Sequence, residues 1–167
     1  TGYGYIELAE RVDDATPEVA RLRGFREKPA RALAETYLAS GNYRWNAGIF
    51  LLRASVWLEL IQQYQPAMLE ACRRAVAGGS HDGDFFRLQA EAFRDCPADS
   101  IDYAVMERLA ADAPARAAVV SLDAGWSDVG SWSSLWEVLP HDERGVAVRG
   151  DVCALDCKDS LLFSESR

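Results

Sequence analysis

The order of apolar and polar positions sorts the first fifty residues into strand, strand, helix and strand. Residues 3–8 hold Tyr3, Tyr5 and Ile6, aromatic and β-branched side chains that favour a strand. Asp13-Asp14-Ala15-Thr16-Pro17 is a turn cluster. Residues 19–25 then alternate through Val19, Arg21, Leu22 and Phe25, which predicts an antiparallel partner for the first strand. Pro29 ends that strand because it cannot donate to a ladder. Residues 30–39 are good helix formers and stop at Ser40-Gly41. Residues 45–52 run apolar without a break after Gly48, the pattern of a strand buried on both faces.

Helical spacing follows. Trp57, Leu60, Ile61 and Tyr64 share one stripe, with Ser55 placed to cap it. Pro66 breaks that helix and opens a second one bearing Met68, Leu69 and Cys72. A glycine-rich loop is predicted over 78–84, helices over 85–93 and 101–110, and a strand over 117–122. A loop over 123–130 leads to a short helix over 131–139. Beyond Pro140 the texture changes to short strands at 146–148, 152–155 and 161–163, which predicts a β-rich extension over 141–167 to an α/β body over 1–140.

Composition narrows the class. The 167 residues are 49% hydrophobic and 26% charged, the balance of a folded globular chain and not of a disordered one. A net charge of -8 argues against a nucleic-acid face but leaves small anionic ligands open, since a few local cations can serve those. No apolar run approaches the ~20 residues that span a bilayer, and no signal segment opens the chain. Cys72, Cys96, Cys153 and Cys157 are too sparse for a disulfide scaffold. They read as reduced thiols, or, for Cys153 and Cys157, as half of a metal clip with only His81 and His141 to complete it. Strand-like runs at both termini suggest a piece of a longer polypeptide.

Four segments could carry chemistry. Gly2-Tyr3-Gly4-Tyr5 places glycines in a strand, either as a bulge or where backbone approaches a ligand. In Glu27-Lys28-Pro29 a carboxylate can accept sugar hydroxyls while an ammonium neutralises phosphate; two solvated charges at a strand end are the alternative. Asn46-Ala47-Gly48 offers donor and acceptor together, or a satisfied core amide beside a bulge. In Gly125-Trp126-Ser127-Asp128-Val129-Gly130, Asp128 is placed either as a Mg2+ ligand or as the N-cap of the helix near Ser131. Asp102 sits at a helix start and reads as a cap. No histidine-based nucleophile motif, phosphate-binding P-loop or dinucleotide fingerprint occurs.

In this order, Gly2-Tyr3-Gly4-Tyr5-Ile6, Glu27-Lys28-Pro29, Trp45-Asn46-Ala47-Gly48-Ile49-Phe50, Ser100-Ile101-Asp102-Tyr103-Ala104-Val105-Met106-Glu107 and Gly125 through Trp132 resemble the bacterial mannose-1-phosphate guanylyltransferases. These are sugar nucleotidyltransferases, some of them fused to a mannose-6-phosphate isomerase domain. The resemblance implies the second, sugar-binding part of a doubly wound α/β nucleotidyltransferase fold, then the start of a β-helical extension used for self-association. It implies a cytoplasmic enzyme that makes GDP-mannose and pyrophosphate from GTP and mannose 1-phosphate with Mg2+. It assigns sugar-phosphate contacts to Gly4, Glu27, Lys28, Asn46 and Gly48, the catalytic charges to Lys28 and Asp128, and the metal to Asp128. Arg26, where an apolar residue is usual, and the missing Asn after Gly145 depart from the pattern. The triphosphate-cradling signature is expected upstream of Thr1, so the chain alone is expected not to turn over. A non-catalytic module of the same fold is the competing reading, and an intact set of Glu27, Lys28, Asn46 and Asp128 favours the enzyme.

Overall fold

The computed structural model describes residues 2–165, and the chain divides after Leu122 into two compact units. The first is mixed α/β. Its sheet joins β1 (Tyr5–Arg11), β2 (Val19–Arg26), β3 (Tyr43–Trp45) and β6 (Ala118–Val120) in the order β3-β1-β2-β6. Every pair in this sheet is antiparallel, whereas a doubly wound sheet is mostly parallel.

A bulge sets what β2 presents to the core. Glu7 pairs with Gly24 but Leu8 pairs with Leu22, so Arg23 is the extra residue. Ala20 and Leu22 are buried ahead of it and Phe25 after it, so the inward phase moves from even to odd positions. Glu27, just beyond the strand, inherits that inward phase.

α1 (Arg31–Ser40) and its left-handed cap Gly41 return the chain to β3. Then α2 (Ala54–Tyr64), α3 (Pro66–Ala77) and a helical segment over residues 102–112 enclose a core of Leu60, Ile61, Tyr64, Leu69, Val105 and Leu109. The segment is not uniform: a π-helical turn, Asp102–Met106, runs directly into α5 (Glu107–Asp112). The sequence predicts a single regular helix there.

Other expectations change as well. The predicted strand over 45–52 stops at Trp45, because Asn46 Oδ1 accepts the Gly48 N–H at 3.0 Å and Gly48 takes φ 68°, turning the chain off the ladder. Ile49 and Leu51 are consequently exposed, Leu51 completely. Ser55 lies inside α2, which begins at Ala54 after Arg53. The expected loop over 78–84 contains a hairpin, β4 (Ser80–Asp82) with β5 (Phe85–Arg87), closed by Gly83 at φ 57°. The helix expected over 85–93 therefore shrinks to α4 (Ala90–Arg94), whose first turn is capped by the Gln89 side chain.

The second unit holds α6 (Trp132–Val138) and a parallel pair, β7 (Ala147–Arg149) with β8 (Leu161–Phe163). Parallel strands need a crossover; the intervening residues supply it as an irregular connection with Asp156 and Asp159 at positive φ, and the strand expected over 152–155 is absent. Asp142 anchors the approach to β7 by accepting the Arg144 and Val146 N–H groups, each at 2.9 Å. Those bonds hold its carboxyl below the usual range. All four cysteines are free, and no cluster of three or more metal-ligating side chains occurs among the described residues.

Candidate functional site

The β2 bulge and the β3 turn bring three separated segments to one end of the sheet. Gly4 is buried just ahead of β1, and its carbonyl accepts the Asn46 N–H at 2.8 Å. A Cβ on Gly4 would collide with Glu27 Oε2 and stand 3.1 Å from Asn46 Cβ. Glycine is required here by the close approach of two side chains and not by an unusual φ. Gly2 has nothing within 4 Å of the same position, so the two glycines of the opening segment differ in kind.

Glu27 is well enclosed, its side chain only 8% exposed. Oε1 lies 3.4 Å from Lys28 Nζ, while the buried Oε2 has no hydrogen-bond partner. A buried carboxylate oxygen without a partner is costly, and Oε2 packs into the position that a Gly4 side chain would fill. Lys28 itself is largely exposed and sits at φ 43°, a left-handed conformation that non-glycine residues adopt at a cost of about 1–2 kcal/mol. Pro29 behind it adds to the restriction. Such strain persists only where the surroundings hold it, and it is often found at ligand clamps.

Asn46 is held at both ends of its amide. Oδ1 accepts from Gly48 N, and Nδ2 donates to Asp102 Oδ1 at 2.9 Å. The structure brings Gly4, Glu27, Lys28, Asn46 and Gly48 to the same end of the sheet, and adds two carboxylates. Asp102 makes no cap; it holds Asn46. Glu107 accepts the Glu27 backbone N–H at 2.9 Å and lies 3.8 Å from Arg26, so the unusual Arg26 has an ionic partner. The spacing of two carboxylates five residues apart is visible in the sequence, but only a π turn makes it meaningful.

Asp128 belongs to the second unit and is exposed. The cap of α6 is Ser131, whose Oγ accepts the Ser134 N–H at 3.1 Å, so Asp128 does not fill that role.

Residues 1–145 match the nucleotidyl transferase family model, and the chain belongs to that family. Among relatives, the xanthan biosynthesis protein XanB of Xanthomonas campestris pv. campestris is 50% identical over 98% of this chain and 33% of its own length. The mannose-1-phosphate guanylyltransferase ManC of Salmonella typhimurium is 48% identical over 99% of this chain and 34% of its own length. The chain thus spans about a third of these relatives. A crystal structure from Thermus thermophilus, described as mannose-1-phosphate geranyltransferase, superposes with a TM-score of 0.75 at 34% identity, covering 99% of this chain and 44% of that one. Another, mannose-6-phosphate isomerase from Helicobacter pylori, gives 0.64 at 29% identity over 77% of this chain and 47% of that one.

Proposed function

We propose that the protein carrying this chain is a mannose-1-phosphate guanylyltransferase, and that residues 1–140 supply its sugar-phosphate site. The carrying observation is the enclosed Glu27 carboxylate, with Oε2 unpartnered beside a glycine that cannot be larger and an asparagine amide fixed at both ends. A sugar hydroxyl donating to Oε2 would relieve the desolvated oxygen, and the exposed Lys28 ammonium can meet the phosphate.

In this reading a mannose 1-phosphate oxygen attacks the α-phosphorus of GTP, and pyrophosphate leaves. Glu27, Asn46 and Gly48 orient the sugar; Lys28 offsets the repulsion of two anions. Nucleotidyltransferases of this family typically use a divalent metal. Mg2+ usually takes only one or two protein carboxylates and fills its remaining positions with water and phosphate. Asp128, an exposed hard-oxygen donor in a loop with glycines on both sides, fits one such position. When bound, the ion would neutralise phosphate charge. Residues 141–167 are read as the start of a β-helical extension for self-association, supported by the parallel β7–β8 pairing. A cytoplasmic location goes with this reading; no helix among the described residues is long and apolar enough to cross a membrane.

Lys28→Met in the full-length protein tests the assignment. Calorimetric titration should show mannose 1-phosphate weakened about 10- to 150-fold, the value of a hydrogen bond to a charged group, with GTP unaffected. Equal loss for both ligands, or none for the sugar phosphate, returns Lys28 to an ordinary solvated charge.

A further inference from the structure

We infer that Asp102 and Glu107 are positioning residues, and that the π turn between them exists to place both carboxylates on one face toward the sugar-phosphate site. This rests on the functional reading above. In an α-helix, residues five apart point roughly 140° away from each other, since each residue turns ~100°. In the π turn the Glu107 N–H bonds to the Asp102 carbonyl, which stacks the second residue over the first. Both carboxylates then reach the same end of the sheet. Asp102 takes one Nδ2 proton of Asn46, and Glu107 takes the Glu27 backbone N–H.

The two bonds divide the task. A carboxylate only accepts, so Asp102 forces Nδ2 and not Oδ1 of Asn46 to face it. With Oδ1 already committed to Gly48 N, the amide has a single orientation and one N–H left for substrate. That N–H is a donor beside Glu27 Oε2, which is an acceptor, and the pair forms a matched edge for a hydroxyl-bearing ring. Glu107 fixes the backbone at which β2 passes into the strained Lys28 turn, and so sets where Glu27 and Lys28 point. Neither carboxylate is needed to touch the substrate.

The test uses the full-length protein with Asp102→Ala, Asp102→Asn and Glu107→Gln. Asp102→Ala should weaken mannose 1-phosphate roughly 3- to 10-fold, the worth of the neutral hydrogen bond that a freed Asn46 amide no longer directs at a sugar hydroxyl, and leave GTP affinity and melting temperature near wild type. Asp102→Asn keeps an acceptor oxygen and should restore most of the loss. Glu107→Gln should behave likewise, since an amide oxygen still accepts the Glu27 N–H. Exchange of the Asn46 side-chain amide protons, followed by nitrogen-edited NMR without ligand, gives a readout independent of substrate: Asp102→Ala should speed it and Asp102→Asn should not. An unchanged Asn46 amide in Asp102→Ala, or parallel loss of both ligands together with melting temperature, overturns the inference. A wild-type protein that does not bind mannose 1-phosphate overturns the functional reading instead, and the amide exchange still decides the role of Asp102.

Discussion

Replacing Gly4 with alanine adds one methyl group at the tightest point of the site. Its two nearest neighbours respond differently. Glu27 Oε2 is the far end of a flexible side chain and can swing aside, whereas Asn46 Cβ, at 3.1 Å, is tied to backbone and must yield by a few tenths of an ångström. Overpacking of this kind costs about 1–3 kcal/mol, and the stiffer unfolded chain returns about 0.4–1 kcal/mol. The net stability loss should be about 1 kcal/mol, a fall in melting temperature of roughly 2–4 °C. Binding should suffer much more, because the displaced carboxylate no longer meets the hydroxyl: about 10- to 150-fold for mannose 1-phosphate. Calorimetry on the full-length protein, with scanning for stability and titration for affinity, separates the two quantities. Gly2→Ala is the control; nothing lies within 4 Å of its Cβ position, so both readings should stay at wild type. A Gly4→Ala protein that binds the sugar phosphate within about twofold of wild type, less than the ~0.6 kcal/mol scale of thermal energy, would refute the close-approach role of Gly4.

Asp128→Asn should leave thermal stability unchanged, because Ser131 and not Asp128 caps α6, while turnover in the full-length protein falls at least about tenfold and the Mg2+ requirement moves to higher concentration; turnover near wild type at limiting Mg2+ would remove the metal role. Burial and the neighbouring Glu7 carboxylate push the Tyr43 phenol from its ordinary 10.0 up to about 12. The fold thus favours the neutral phenol, so this contribution to stability is complete below pH 10 and is lost as pH rises toward 12. Ultraviolet difference titration of Tyr43→Phe against wild type should show one tyrosine missing from the highest-pH step, and a missing step at ordinary pH would contradict the assignment.

Much of the candidate site is legible in the sequence because its parts are short-range. Glu27-Lys28-Pro29 and Asn46-Ala47-Gly48 carry their chemistry in three residues each, and their order along the chain points to one family. The mixed α/β class and both long helices follow from periodicity, since Leu60, Ile61 and Tyr64 in α2 and Leu69 in α3 are buried where spacing places them. What failed depends on contacts that periodicity does not register. The apolar run after Gly48 leaves the sheet because a side-chain bond to Gly48 N turns the backbone. The phase change in β2 comes from a bulge at Arg23 that only the partner strand defines. Asp102 resembles a cap in sequence, and its true partner lies 56 residues away.

The exposed run at Ile49, Leu51 and Leu52 bears on how the chain behaves as a colloid. A net charge of -8 keeps copies apart by long-range repulsion, while these side chains offer short-range adhesion. The two have different reach. Repulsion decays over about 10 Å at 0.1 M salt and about 3 Å at 1 M, whereas apolar contact strengthens in the presence of excluded salts such as sulfate. Added sulfate should therefore favour association, and light scattering at fixed protein concentration should rise with added sodium sulfate and fall back on dialysis into low salt.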